Sequence, residues 1–400
     1  MSVGYEPKKE AESSRRSYIK VIAIIRIYAR KVNRPEETAM EKHSTQSKKV
    51  QVIHIGIDVH KSSWRVTEMR DGVALKTYSA SPSAAELGAR LRREYLGAEY
   101  RSVYEAGFCG FHVHRELEAQ GIRNIVINAA DVPTSGKERA NKNDTVDSRK
   151  LARELSNGSL EPIYVPSPAN LLLRGVVRCE TQTVKDVTRE INRMKGILAQ
   201  RGEEPPRING GALRLRLEQA VREGDEEMAL ALGRLITRRS ERARAVQAER
   251  RTVEALGLWP LLHRLMTVPG VGFRTAVVVL SEIWDMSRFP TENHLVSFAG
   301  LAPRLTGSGE HERTGGIGHR KHRLLQGILV EASWTAGRKD AELHDKYWAL
   351  AMRKTAQKAV VAVARRLLLR IRAVWLHGAD YVPKQASDKA GGTGNDGPGE

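Results

Sequence analysis

A run of β-branched residues opens the patterned part of the chain and constrains its fold class. Val50 to Val59 reads VQVIHIGIDV and is bounded by polar residues, which predicts a strand. Two further strands are predicted at Ser63 to Glu68 and Val73 to Ser79. They are joined by Asp71-Gly72, a dipeptide typical of a tight hairpin turn. The chain is therefore expected to start its fold as a three-stranded meander.

Helices and strands alternate after this meander. In chain order the patterns predict a helix at Ser83 to Tyr95, a strand at Arg101 to Tyr104, a helix at Phe111 to Gln120, a strand at Asn124 to Asn128, a helix at Asp144 to Ser156 and a short strand at Ile163 to Pro166. A meander followed by such alternation predicts an α/β layer with a mixed sheet.

The remainder is predicted to be mostly helical. Leu171 to Gln200 and Ala212 to Leu256 are long, charged and helical in period, and a polar break at Gly202 to Pro206 separates them. This arrangement predicts an antiparallel coiled-coil arm. A third region opens at His263, with helices expected over 289–301 and 320–377 and a flexible segment from Thr306 to His319.

These patterns divide the chain into five parts. They are a disordered basic arm (1–49), an α/β domain (50–168), the coiled-coil arm (169–258), a C-terminal domain (259–383) and a disordered tail (384–400). Met40 lies shortly before the first strand, so translation is expected to start at either Met1 or Met40.

The charge balance favours a polyanionic partner. Lys and Arg total 66 against 47 Asp and Glu, a net charge of +19, spread along the chain. This suits a nucleic-acid protein better than a soluble enzyme with one basic arm. Cys109 and Cys179 build neither a disulfide framework nor a zinc site, and the apolar run Ile19 to Tyr28 is too short and too charged to span a bilayer. We expect a soluble, cytoplasmic protein with no membrane partner.

Four carboxylates stand at the ends or beginnings of predicted elements. Asp58 ends the first strand, Glu105 ends the fourth, and Asp144 and Asp147 stand three apart at a helix start. If the first and fourth strands are neighbours, Asp58 and Glu105 lie side by side, and a helix docked there brings in the other two. The alternative for Asp144 and Asp147 is simple helix capping.

Converging carboxylates do not stay ionised together without a cation, and their oxygens suit Mg²⁺ or Mn²⁺. Two such ions about 4 Å apart stabilise the attacking and leaving oxygens of a phosphodiester displacement. The order of the four residues and the elements that carry them predict a ribonuclease H-like domain with a metal site.

The C-terminal region carries a second set of candidates. The turn Pro269-Gly270-Val271-Gly272 before an apolar helix resembles a helix-hairpin-helix element, in which Gly270 and Gly272 let a phosphate approach the backbone. Ser308 lies between two glycines and is either a linker residue or a nucleophile. Phosphate contacts, rather than a metal site, are expected for His311, His319 and His322 and for the cations around them. The cationic candidates for nucleic-acid contact are Lys142, Arg304, Arg313, Arg320, Lys321 and Arg323.

Several motifs, in order, resemble one family. GIDVHK (56–61), YEAG (104–107) and KNDTVDSRKLA (142–152) are similar to the N-terminal DEDD motifs of the IS110 family of insertion-sequence transposases, including its IS1111 branch. VPGVG (268–272), FAGLAPR (298–304) and Ser308-Gly309 are similar to that family's C-terminal domain. The resemblance runs from about Val52 to Trp334.

The resemblance implies a RuvC-like (ribonuclease H-like) domain, a coiled-coil arm and a mostly helical C-terminal transposase domain. It assigns metal binding to Asp58, Glu105, Asp144 and Asp147 and nucleophilic attack to Ser308. It further implies recombination between donor and target DNA guided by a structured non-coding bridge RNA, and dimers that assemble into tetramers with sites shared between subunits.

Two other functions stay open. A metal-dependent nuclease of the Holliday-junction type needs the carboxylates but not Ser308. A non-catalytic nucleic-acid-binding remnant of a decayed element needs only the basic surface.

Overall fold

The structure is a computed structural model that describes residues 50–133, 144–205, 210–306, 313–317 and 321–382. Residues 144–145, 210, 304–306 and 313–317 are described by their backbone alone. The predicted disordered arm and tail lie outside these ranges. The chain divides into two compact units with the boundary between Ser167 and Pro168.

The first unit is built on a five-stranded mixed sheet in the order β3-β2-β1-β4-β5. β1 pairs antiparallel with β2 and parallel with β4, and β5 extends the parallel side. The predicted hairpin between β2 and β3 is confirmed, because Asp71 and Gly72 both have positive φ, 48° and 78°. The strands are β1 Val52–Val59, β2 Trp64–Arg70, β3 Val73–Ala80, β4 Glu99–Glu105 and β5 Arg123–Ile127; the helices are α1 Ala84–Glu94, α2 His112–Ala119 and α3 Asp144–Ser156.

One predicted strand is wrong. Residues 163–166 form no strand, although the backbone N–H of Ile163 donates a hydrogen bond of 2.8 Å to the carbonyl of Val126. The apolar residues there serve packing instead, since Ile163 and Val165 lie against the core under the sheet.

The two faces of the sheet are covered by different helices. Ile53, Ile55 and Ile57 of β1 are fully buried in a core shared with α1 and α2. On the opposite face, Val103 of β4 packs in a cluster with Leu151 of α3. Because side chains alternate along a strand, Gly56 faces α3 as well.

Helix α3 lies unusually close to the sheet at Gly56. A Cβ atom on Gly56 would stand 2.1 Å from the carbonyl oxygen of Ser148 and 2.5 Å from the backbone nitrogen of Ala152. The Ser148 hydroxyl also forms a buried hydrogen bond of 2.9 Å with the hydroxyl of Thr67 on β2. Glycine at position 56 therefore fixes where the helix crosses the sheet.

The second unit consists mainly of helices. The predicted continuous helix over 212–256 is wrong: Gly224 takes a left-handed conformation (φ 71°), and the Asp225 side chain caps a new helix by accepting from the N–H of Met228. The bounds are α4 Pro168–Gln200, α5 Gly210–Glu223, α6 Glu226–Ala255, α7 Trp259–Met266, α8 Phe273–Ile283, α9 Glu292–Phe298, α10 Arg323–Lys339, α11 Ala341–Ala351 and α12 Ala356–His377.

Two further predictions in this unit need correction. The helix expected over 289–301 is shorter, because Pro290 precedes it, Thr291 caps it and Gly300 (φ 71°) ends the turn after it. The segment expected to be flexible, 306–319, contains the strand β7 Arg313–Ile317. The strand that pairs antiparallel with it, β6 Pro303–Thr306, ends at the first residue of that segment.

Helices α4 and α6 run antiparallel. Val177 near the start of α4 shares a cluster with Val253 near the end of α6, whereas Met194 and Leu198 share another with Met228. The antiparallel pair agrees with the predicted arm, and its coiled-coil character stays a prediction. No helix within the described ranges is both long and apolar enough to cross a membrane.

A buried ionic cluster ties this arm to α8. The Arg274 guanidinium on α8 lies 2.6 Å from a carboxylate oxygen of Glu180 on α4 and 2.6 Å from one of Glu249 on α6. Both glutamates are buried. Burial raises the pKa of Glu249, and the nearby Glu180 carboxylate raises it further. Arg274 lowers it but does not outweigh these effects, so the pKa is about 7.

Gly56→Ala is expected to displace α3 and to destabilise the first unit by about 3 kcal/mol, because the new methyl group collides with helix backbone. Native-state hydrogen exchange of peptides from β1 and α3 measures this local free energy. Gly196→Ala is the control, since that helical glycine has open space around it. Equal protection of β1 in Gly56→Ala and the native protein contradicts the packing described above.

Glu249→Gln is expected to remove a pH dependence of stability. A folded-state pKa of about 7 against 4.5 for the unfolded chain means that the unfolded state ionises first as pH rises. The free energy of unfolding therefore falls as pH rises from the pKa of the unfolded state to that of the folded state. Urea unfolding measures this effect. Between pH 5 and pH 8, the free energy of unfolding of the native protein should fall by on the order of 2 kcal/mol more than that of Glu249→Gln.

The control for this comparison is Glu254→Gln, at an exposed position of the same helix. This variant should keep the native pH slope. Identical slopes for the native protein and Glu249→Gln argue against a raised pKa.

Candidate active site and nucleic-acid interface

β1 and β4 are neighbouring strands, which is the condition for the predicted placement of Asp58 beside Glu105 at their carboxyl ends. The parallel register of β1 and β4 runs to the pair Ile57 and Tyr104, and the next residues are Asp58 and Glu105. Each lies two positions after a residue that packs on α3, so both carboxylates project from the face that α3 covers. The backbone therefore brings two carboxylates to adjacent strand ends.

The loops that follow these strands add two contacts at the same edge. His60 Nε2 lies 3.1 Å from Asp58 Oδ2, and the Lys61 ammonium lies 5.9 Å from the centre of the Phe108 ring. An imidazole N–H that donates to a carboxylate restricts its orientation. Sequence reasoning did not single out His60, although its place two residues after a strand-terminal aspartate is a usable signal.

Helix α3 supplies the second half of the predicted carboxylate set. It begins at Asp144, and Asp147 lies in its first turn, half-buried. Asp147 stands four residues before Leu151, so it shares the helix face that packs on the sheet. The Asp144 side chain lies outside the described part of the structure.

The donor chemistry of this edge fits a hard divalent cation, because carboxylate oxygens are the ligands that such ions prefer. Among the side chains that the structure describes, no three acidic, histidine or cysteine groups are close enough to hold an ion.

The two glycines of the turn before α8 differ in the space around them. Gly270 has φ 84°, and a Cβ there would stand 2.6 Å from Ala336 of α10, so close packing and backbone conformation both require glycine. Gly272 is the residue before α8 and has open space where its Cβ would be. Of the two, Gly272 is the more accessible to a phosphate.

The predicted nucleophile lies in the connection between β6 and β7. The structure pairs Thr306 of β6 with Arg313 of β7, and Ser308 lies in the chain between these two residues. Ser308, Lys142 and Arg320 lie outside the described residues, as do the side chains of Arg304 and Arg313.

Three consecutive predicted phosphate contacts follow the hairpin. Lys321 and Arg323 are exposed beside the start of α10, which leaves them available to a polyanion. His322 differs from the prediction, because its Nε2 lies 3.1 Å from the buried carboxylate of Glu282 and its ring packs on Phe298. Sequence reasoning also missed Glu282, for which local pattern gives no signal.

Comparison with known proteins finds the same family in both units. Residues 55–201 match the family model for the DEDD transposase of IS110, and residues 262–348 match the model for the transposase IS116/IS110/IS902 family. The putative transposase y4rJ of Sinorhizobium fredii is 26% identical over 366 residues, which cover 80% of this chain and 90% of that protein.

Two other relatives agree with these matches. The transposase for insertion sequence element IS1111A of Coxiella burnetii is 27% identical over 275 residues, 66% of this chain and 74% of that protein. A protein of insertion element IS110 from Streptomyces coelicolor is 34% identical over 147 residues, about a third of each chain: 34% of this one and 35% of that one. A DEDD-type domain is in general dependent on divalent metal, in accord with the carboxylate edge. This chain belongs to the IS110 family of transposases, enzymes that act on DNA.

Proposed function

We propose that this transposase cuts and rejoins donor and target DNA with a metal site at Asp58, Glu105, Asp144 and Asp147 and with Ser308 as nucleophile. The single observation that carries the proposal is the placement of Asp58 and Glu105 at adjacent ends of β1 and β4 on the face covered by α3. That helix begins with the other two carboxylates of the set.

The carboxylates would hold Mg²⁺ or Mn²⁺, which supplies charge stabilisation for the phosphodiester in the transition state. In the serine step, the Ser308 hydroxyl gives up its proton and forms a phosphoester bond. The bond from phosphorus to the departing strand breaks, and the departing oxygen takes a proton. A DNA hydroxyl then loses its proton and bonds to the phosphorus, and the serine oxygen leaves and takes up a proton, so that the bond energy is retained without ATP.

The nucleic-acid contacts belong to both units. Net charge of +19 supports binding to polyanions through the basic candidates. We assign to this set Lys142, Gly270, Gly272, Arg304, Arg313, Arg320, Lys321 and Arg323. Guidance by a structured bridge RNA, assembly of dimers into a tetramer and an active site shared between subunits are proposed on the resemblance of the motifs.

Recombination between donor and target DNA is expected to require both the carboxylates and Ser308. The reaction contains purified protein, Mg²⁺ and the RNA transcribed from DNA flanking the reading frame. Ser308→Ala and Asp147→Ala should each lower product by at least about 10³-fold, because each removes a group that acts in the transition state. A protein–DNA adduct should form with the native protein and disappear with Ser308→Ala.

The variants distinguish the other functions. Cleavage that survives Ser308→Ala but not Asp147→Ala assigns the chemistry to the carboxylates alone, as in a junction nuclease. Binding without any cleavage by the native protein identifies a non-catalytic remnant.

Mn²⁺ affinity is expected to fall about tenfold or more in Asp58→Asn and Glu105→Gln, because each change removes an anionic oxygen ligand. Electron paramagnetic resonance of free Mn²⁺ measures this affinity without any DNA. Glu99→Gln is the matched control, since Glu99 begins the strand that Glu105 ends. Equal loss of affinity in Glu99→Gln places the ion elsewhere.

A further inference from the structure

Two tryptophans on the surface of the helical unit lie in one aromatic cluster. The chain has six tryptophans, all within the described ranges, and only Trp334 of α10 and Trp348 of α11 are exposed, by 47% and 54%. Both pack on Tyr347, whose ring centre lies 5.5 Å from that of Trp334 and 5.4 Å from that of Trp348. Large apolar groups that stay together in water are typical of a binding surface.

The rings of this cluster are held in place and keep open faces. The planes of Trp334 and Tyr347 are 62° apart, an edge contact that covers at most one face of the Trp334 indole. The indole N–H of Trp348 donates to Nε2 of His344 over 3.0 Å, one helical turn earlier, which fixes the orientation of that ring. Because these rings are ordered before a ligand arrives, stacking on them costs little conformational entropy.

The aromatic cluster lies on a stripe of α10 that also carries cations. At 100° per residue, Arg323, Gly327 and Arg338 fall within about 40° of Trp334 around the helix axis, and all are exposed. Arg323 lies about 17 Å before Trp334 along the axis and Arg338 about 6 Å after it. Nothing lies within 4 Å of the place that a Cβ on Gly327 would take, so the stripe is open there. The cluster is therefore continuous with a cation already assigned to nucleic-acid contact.

The charges around the cluster favour a polyanion. Asp340 and Glu342, at the turn between α10 and α11, are bound by Arg370 of α12, and Glu342 also by Arg366. The other charged side chains of 321–348 are exposed: two are acidic, Glu331 and Asp345, and five are basic, Lys321, Arg323, Arg338, Lys339 and Lys346. A polyanion that also carries flat aromatic groups is a nucleic acid, and unpaired bases are the ones that stack on aromatic side chains.

We propose that Trp334, Tyr347 and Trp348 form a stacking platform for unpaired bases of a single-stranded nucleic acid, whose backbone follows the cations of α10. The contact of Arg323 with the backbone rests on the proposed function. The platform itself rests on the contacts above. Every base has a π face, so the platform holds a separated strand without selecting its sequence.

Binding of oligonucleotides to the full-length protein, without added Mg²⁺, tests the platform. The probes are single-stranded DNA, single-stranded RNA and duplex DNA of one mixed sequence. Trp334→Ala and Trp348→Ala should each weaken single-strand binding on the order of tenfold and change duplex binding by less than about twofold. Trp348→Phe keeps an aromatic ring and should recover most of the affinity. A loss confined to one of the single strands supports the platform and identifies its natural strand as RNA or DNA.

Met352→Ala is the matched control. This apolar side chain directly follows α11 and is 84% exposed, but it has no aromatic ring. Its removal should leave single-strand affinity at the native value. An equal loss of affinity in Met352→Ala and Trp348→Ala overturns stacking as the source of the binding.

Tryptophan fluorescence of the native protein provides a second readout. Saturating single-stranded DNA should quench the emission, because stacked bases contact the two exposed indoles, whereas duplex DNA should not. The double variant Trp334→Phe with Trp348→Phe keeps both rings but should lose this quenching, and it serves if the alanine variants do not fold. Quenching that persists in the double variant overturns the platform.

The remaining outcomes separate this proposal from its alternatives. Unchanged single-strand affinity in both alanine variants overturns the platform, and so does an equal loss with duplex DNA, which indicates contact with the backbone alone. Variants that change only self-association in sedimentation velocity identify an interface between copies of the chain instead. None of these measurements needs catalysis, so a native protein that forms no serine adduct yet shows tryptophan-dependent binding refutes the role of Ser308 and leaves the platform intact.

Discussion

The contact between α3 and β1 at Gly56 is the constraint on which the α/β unit depends. Any side chain at this position would overlap the backbone of α3. The absence of a Cβ lets the helix cross directly over the strand, two residues before Asp58. A helix that crosses so close places the first turn of α3 on the same face of the sheet as Asp58 and Glu105, as the proposed metal site requires. One glycine therefore supports both the packing of this unit and the proposed site.

The helical unit depends on charge pairs along α8. Arg274 and Glu282 stand eight residues apart on this helix, about 12 Å along its axis. Arg274 binds the buried carboxylates of Glu180 and Glu249, and Glu282 binds two arginines of α4. Leaving any of these charges without its partner in the core carries a large penalty. The arm is thereby attached to α8 at two levels by ionic contacts and not by apolar packing alone.

Sequence patterns predict the α/β unit well because its signals are local. Alternating β-branched residues and the Asp71-Gly72 turn follow from near neighbours. The placement of Asp58 beside Glu105 depends in addition on the pairing of β1 with β4, whose paired residues are 47 positions apart in the chain. The break at Gly224 was missed because the flanking helical period continues across it. Glu282 was missed for another reason: its partners lie 40, 104 and 108 residues away in the chain. Local periodicity does not identify such pairs.

The carboxylate edge and the serine hairpin differ in how they obtain their rigidity. The carboxylate edge belongs to a five-stranded sheet with cores on both faces, so its geometry is supported throughout the unit. The serine hairpin has strands of four and five residues, and an isolated two-stranded hairpin is marginal in water. It must take its order from the point where it joins the core. That point is built from the buried Glu282 carboxylate, the capped start of α10 and the close approach of Gly300 to Lys321.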